Sequence, residues 1–266
     1  MMNKCFILFI LFFSCKNRIQ EESIQISILN DELYSLCSSN ECKIPYRDYY
    51  RDDYISISTN RVIFKIENLT DNNLLLYSKN FDGFKIFLPS FNTFSNQLNV
   101  SLKNFLIFNS ENKVLKPEII MGEPRSKYID RQEYIKNEVL KFYNTSDYSD
   151  KNDLWKFENN RISNGTLKIY SKQTLYFEAL ICFPFSSHNE LGFETSYILD
   201  KDENYYTSLY FKFIKPEGVL RKSQKLEIEN NKFDFFEGEI RSVNTVPLKI
   251  IKDGSDNNST EVNGKE

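Results

Sequence analysis

The sequence predicts a mainly β body, built as an antiparallel β-sandwich with one inserted amphipathic helix. Three observations carry that expectation. The chain holds 23 Phe and 16 Tyr but only 8 Gly and 7 Pro, and Ala179 is its single alanine. Aromatic and β-branched residues suit a pleated, half-buried surface, whereas a helical bundle draws heavily on alanine. Short runs of alternating apolar and polar residues recur between Asn- and Asp-rich breaks, the pattern of strands joined by turns. One stretch only departs from that period and repeats as a helix does.

Taken in order, Ile24, Ile26 and Ile28 alternate with Gln25 and Ser27 and predict a first strand. Asp31 to Cys37 reads as a helical turn. Tyr46 to Tyr54, YRDYYRDDY, reads as a solvated loop of mixed charge with recognition as its functional alternative. Val62, Phe64 and Ile66 point one way and Lys65 and Glu67 the other. The break Asn68-Leu69-Thr70-Asp71-Asn72 and the run Leu74 to Tyr77 then complete a predicted hairpin. Asp82-Gly83 marks a turn before Phe84 to Leu88. Leu98, Val100 and Leu102 alternate, and Phe105 to Phe108 is a short apolar run; both predict strands.

The period changes at Asp130. Glu133 stands three residues later, as in a capping box. Ile135, Val139, Phe142 and Tyr143 follow on one helical face, and Asn144 is placed to end the element. A helix is predicted over 131–143, its apolar face against the core. Strand signals then resume at Leu167 and Ile169. In Thr174 to Phe183, residues on both faces are apolar, which predicts a central strand covered on both sides. Leu209, Phe211 and Phe213 alternate. Leu226 and Ile228 lead through Asn230-Asn231 to Phe233 and Phe235, and Val246, Leu248 and Ile250 make a last strand. This set of strand patterns resembles the immunoglobulin-like domains of exported bacterial proteins, which implies a two-sheet sandwich. A single domain over 24–252 is the preferred division, with two small sandwiches split near 125–150 as the alternative. Asp253 to Glu266 carries no aromatic residue and reads as a disordered tail.

The first residues speak to location. Cys5 to Phe13 are apolar without a break. The run is much shorter than the roughly 20 residues a membrane-crossing helix needs, and suits the apolar region of a secretory signal. No Ala-x-Ala cleavage site follows. Phe12-Phe13-Ser14-Cys15 instead resembles the lipobox of bacterial lipoproteins, with Phe12 where leucine is usual. The resemblance implies that residues 1–14 are removed, that Cys15 receives a diacylglycerol and an acylated amine, and that residues 15–23 tether the body to the membrane. Two or more chains make such an anchor stable, whereas one does not. In that family an aspartate after the cysteine holds proteins at the inner membrane. Lys16 stands there, which implies the outer membrane.

The remaining chemistry is sparse. The net charge of −3, with both signs interspersed, argues against a nucleic-acid partner. Cys37 and Cys42 would close a small polar loop as a disulfide in an exported compartment, and Cys182, inside an apolar run, reads as a buried thiol. A zinc site lacks ligands, since His188 is the only histidine. His188 beside Ser186 and Ser187 reads as a polar loop rather than a catalytic pair, because no Gly-x-Ser-x-Gly elbow accompanies it. No glycine-rich phosphate loop is present, and no cofactor is expected. Trp155, the only tryptophan, reads first as half-core and second as a ligand contact. The expectation is a lipid-anchored binding or accessory module for a protein or glycan partner of the cell envelope. A carboxylate-dependent hydrolase is the alternative, since paired Asp and Glu leave no specific motif.

Overall fold

The computed structural model describes residues 23–38, 59–78, 94, 96, 98, 100–121, 126–184 and 193–251. Among the described residues the body is mainly β, with several antiparallel pairings and three α-helices. β1 (Ile24–Ile28), β3 (Thr59–Asn68) and β8 (Thr174–Cys182) form one antiparallel sheet in the order β1-β3-β8. A second sheet runs β12-β10-β13-β2, with β5 also on β10. Its members are β2 (Leu33–Leu36), β5 (Phe105–Phe108), β10 (Tyr205–Phe213), β12 (Gly238–Arg241) and β13 (Val246–Ile251). The third is β11-β4-β7, from β4 (Asn73–Tyr77), β7 (Thr166–Ile169) and β11 (Phe233–Phe235). β6 (Glu118–Met121) and β9 (Phe193–Ser196) make a separate two-stranded ribbon.

The alternating residues do what their period predicts. Ile24, Ile26, Val62, Phe64, Ile66, Leu209, Phe211 and Phe213 are all buried in one core shared by the three larger sheets. Phe64 stacks on Phe177 of its own sheet at 5.1 Å and meets Phe211 of the second at 6.4 Å. The second of these ring pairs joins the first sheet to the second. The core takes residues from both sides of 125–150: β2 pairs with β13, β3 with β8, β4 with β7 and β5 with β10.

Several expectations are corrected. Asp31 to Cys37 contains β2, which lies parallel to β13, and not a helical turn. β3 and β4 both form, yet they do not pair with each other as a hairpin. Asn68, almost fully buried, accepts bonds from Thr70 and donates to the carbonyls of Asn72 and Tyr170. That knot redirects the chain into a different sheet. Leu98 and Val100 pack against the core outside any strand, and Leu102–Asn104 is a 3-10 turn. β8 is not covered on both sides: among the described residues β3 is its one strand neighbour, and Tyr176 and Leu180 are 69% and 70% exposed.

The single inserted helix becomes three α-helices among the described residues. α1 (Ser126–Asn144) contains the predicted 131–143 and buries Ile135, Val139 and Tyr143 as expected. It starts earlier than the expected cap, so Asp130 lies inside it. α2 (Asp153–Gly165) has no sequence-level hydrophobic face, because four of its buried positions are Asn159, Asn160, Ser163 and Asn164. Its start is nonetheless marked, since Asn152 accepts from the Trp155 backbone N–H at 2.9 Å. α3 (Lys222–Asn231) takes Leu226 and Ile228, which were expected in a strand. Lys232 ends it in the left-handed conformation, at φ 52, and β11 follows.

Candidate functional site

Two regions gather polar chemistry on this scaffold. The first is an open groove of about 470 Å³ where the loop entering β10 meets β13, lined by residues 201–206 and 247–250. β10 and β13 pair here antiparallel, with Tyr205 opposite Leu248. Asp200 shapes the loop: its carboxylate accepts from the Asp202 N–H, and its own N–H donates to the Tyr205 hydroxyl at 2.8 Å. Tyr205 turns inward and is buried, while Tyr206 beside it is 41% exposed. Lys201, Asp202, Glu203 and Lys249 add charges of both signs.

Lys249 pairs with Glu32, the residue just before β2, and the Tyr34 hydroxyl donates to the same carboxylate. The Lys249 bond, then the Tyr34 bond, hold the Glu32 carboxyl below its usual range. Glu178 is lowered in the same way by Arg61, and Glu239 by Lys212 and then Tyr210. Glu178 and Glu239 are exposed and Glu32 is half-buried, and each is stabilised as an anion. A general acid needs the opposite, a carboxyl held protonated near neutral pH by an apolar pocket.

The second region is the junction of the three helices, and it contains Trp155. The indole stacks on Tyr148 at 5.3 Å, meets Tyr143 edge-on at 5.9 Å, and donates from Nε1 to the Gly218 carbonyl at 3.2 Å. Gly218 sits at φ +69, a conformation glycine adopts freely. The half-buried Trp155 is therefore built into the helical layer, held by a stacked ring, an edge-on ring and its Nε1 bond. Beneath it, the Tyr143 hydroxyl donates to Asn159 Oδ1 at 2.7 Å. Asn159 donates in turn to Gln224 Oε1 and to the Val219 carbonyl, and Gln224 Nε2 donates to Ser163 Oγ at 2.9 Å. Arg221, also buried, donates to the same Ser163 oxygen at 3.3 Å. Sequence reasoning missed this network because Asn and Ser on a helix read as solvent-facing. The network ties α2 to α3, and its geometry matches a structural lock: every side chain named here is already bonded to another.

The cysteine expectations divide. Cys37 is fully buried at the end of β2, and Cys182 is a buried thiol at the end of β8. Cys42, Cys15, His188 and the segment Tyr46 to Tyr54 lie outside the described residues, as do the signal and the C-terminal tail. Among the described residues no group of three or more His, Cys, Asp or Glu is placed to hold a metal, and no helix is long and apolar enough to cross a membrane. No family model, curated protein or solved structure matches the chain.

Proposed function

We propose that this chain is a lipid-anchored lipoprotein of the cell envelope, at the outer membrane, whose body is a binding or accessory module for a protein or glycan partner. In this reading Cys15 carries the lipid, Cys37 is bridged to Cys42, and the body is one immunoglobulin-like sandwich. The observation that carries the binding role is the groove beside β10 and β13. It is wide, polar and open, with an exposed Tyr206 flanked by Lys201, Asp202, Glu203 and Lys249. Such a surface suits an extended polar partner better than a small apolar ligand, which favours an enclosed apolar pocket. Tyrosine supplies rigid contact area at such interfaces with few rotatable bonds. Glu32, whose partner Lys249 lines the groove, is held as an anion and is not poised as a general acid there.

A photo-crosslinking residue at position 206 tests the reading in intact cells, with the same residue at exposed Ile198 as the comparison. One dominant adduct from position 206 and none from 198 is the expected result. Equal, diffuse adducts at both positions would refute the groove as a partner site. Glycan, ester or peptide turnover by the purified body, abolished by one Asp or Glu substitution that leaves the fold intact, would refute the module in favour of the hydrolase. Alkylation of the denatured protein without reductant reads the disulfide: Cys182 should react, and Cys37 and Cys42 should not.

A further inference from the structure

We infer that one pole of the fold rests on the lipid surface that holds the anchor: the turns 68–73 and 170–173 together with the C-terminal end of α3. The inference rests on the lipoprotein reading of Cys15. The chain enters the described fold at this pole. The Ser23 carbonyl accepts from the Leu69 N–H at 2.9 Å, and Ile24 lies opposite Asn68. Eight residue steps separate Cys15 from Ser23, and fully extended they reach at most about 29 Å. β3, ten residues long, runs from this pole to the other, a span of about 30 Å at the usual strand rise. The anchor therefore bounds how far this pole can stand from the membrane, and the side chains of the pole bear on whether it touches the lipid.

The pole is one laced surface rather than three separate turns. Asn73 Nδ2 donates to the Asn231 carbonyl, and Asn73 Oδ1 accepts from the Ser171 N–H. The Lys172 N–H donates to the Thr70 carbonyl, and Lys172 Nζ donates to the Leu69 carbonyl at 2.7 Å. Its tips are Leu69, 44% exposed, and Tyr170, 47% exposed, whose ring leans on Phe233 at 5.4 Å. Lys172 stands beside them and pairs with Asp71 at 3.3 Å, and the exposed Lys232 follows Asn231 at the end of α3. Tyrosine belongs at the level of lipid headgroups, and lysine keeps its ammonium in water while its stem lies along apolar surface. An aliphatic tip, an aromatic tip and lysines at the point where the anchor enters suit a shallow headgroup contact. The groove then faces away from the membrane. Tyr34, next to the Glu32–Lys249 pair, accepts the Asn60 side chain at its carbonyl, and Asn60 lies at the far end of β3.

The test uses the intact lipidated protein in vesicles of phosphatidylethanolamine and phosphatidylglycerol, with the Cys15→Ser chain added to the same vesicles for comparison. Hydroxyl-radical footprinting reads oxidation residue by residue. Severalfold slower oxidation at Leu69 and Tyr170 in the anchored protein alone, with Tyr176, Leu180 and Tyr206 unchanged, is expected. A protein that carries lipid mass and floats with the vesicles, yet shows equal oxidation of Tyr170 in both forms, overturns the pole and leaves the anchor standing. Protection of Tyr176 and Leu180 instead places the outer face of β8 on the lipid and overturns it equally. A wild-type chain without lipid mass that fails to float refutes the anchor, and the inference falls with it.

Discussion

At the scale of single residues, buried tyrosines set how the body responds to base. Tyr77, Tyr143 and Tyr197 are each pushed up from 10.0 to about 12, with burial the largest cause in every case. Below pH 10 both folded and unfolded chains keep these phenols protonated, so stability does not depend on them. Above it the unfolded chain loses its protons first, and stability falls until the folded groups titrate near 12. Tyr197 isolates the effect, because its hydroxyl makes one bond, to the Phe105 carbonyl at 3.1 Å. Tyr197→Phe should cost about 1 kcal/mol at neutral pH, the worth of one hydrogen bond. It should also flatten the decline between pH 10 and 12, as read from urea midpoints across that range. An unchanged alkaline slope would show that Tyr197 ionises normally in the fold. No pattern in the sequence marks Tyr197 as buried. It follows β9, four residues of no clear alternation, and its depth comes from contacts made at long range.

At the scale of elements, legibility followed how directly apolar residues report burial. β1, β3, β10 and β13 bury what their alternation says they should, and α1 buries its predicted stripe. α2 was illegible because its buried face is polar and satisfied by Gln224, Arg221 and Tyr143, side chains from other elements. β8 misled in the other direction. Its Tyr176 and Leu180 are apolar but face outward, and an exposed large side chain is common on folded surfaces. The two faces of β8 should therefore respond very differently. Phe177→Ala removes the ring stacked on Phe64 and should cost about 3–5 kcal/mol, less any relief from its partial exposure. Tyr176→Lys should stay within about 0.5 kcal/mol. Comparable losses at both positions in denaturant titrations would mean that the outer face is covered.

At the scale of the whole molecule, the groove is assembled from strands distant in sequence, which is why no local motif announced it. β10 and β13 line it, and Tyr34 of β2 with Glu32 just before that strand lie beyond Lys249. The shared core and the pairings that cross 125–150 predict cooperative behaviour. Urea unfolding of residues 23–251 should give coincident transitions by Trp155 fluorescence, which reports the helices, and by far-ultraviolet dichroism, which reports the sheets. Two separated transitions would favour the division into two units. The candidate site was less legible than the fold, since recognition by an open surface leaves no spacing rule to find.

The parallel register of β2 with β13, Leu33 beside Leu248 through Leu36 beside Ile251, joins nearly the first described strand to the last. A ribosome releases these two partners more than two hundred residues apart. Until the final segment emerges, β2 lacks its neighbour and the sheet stays open, however long the earlier strands wait. Closing so long a loop is slow, as distant pairings generally are. Such a delay makes the β2–β13 seam a late step of folding, so a chain released before Val246 should leave β2 without its partner.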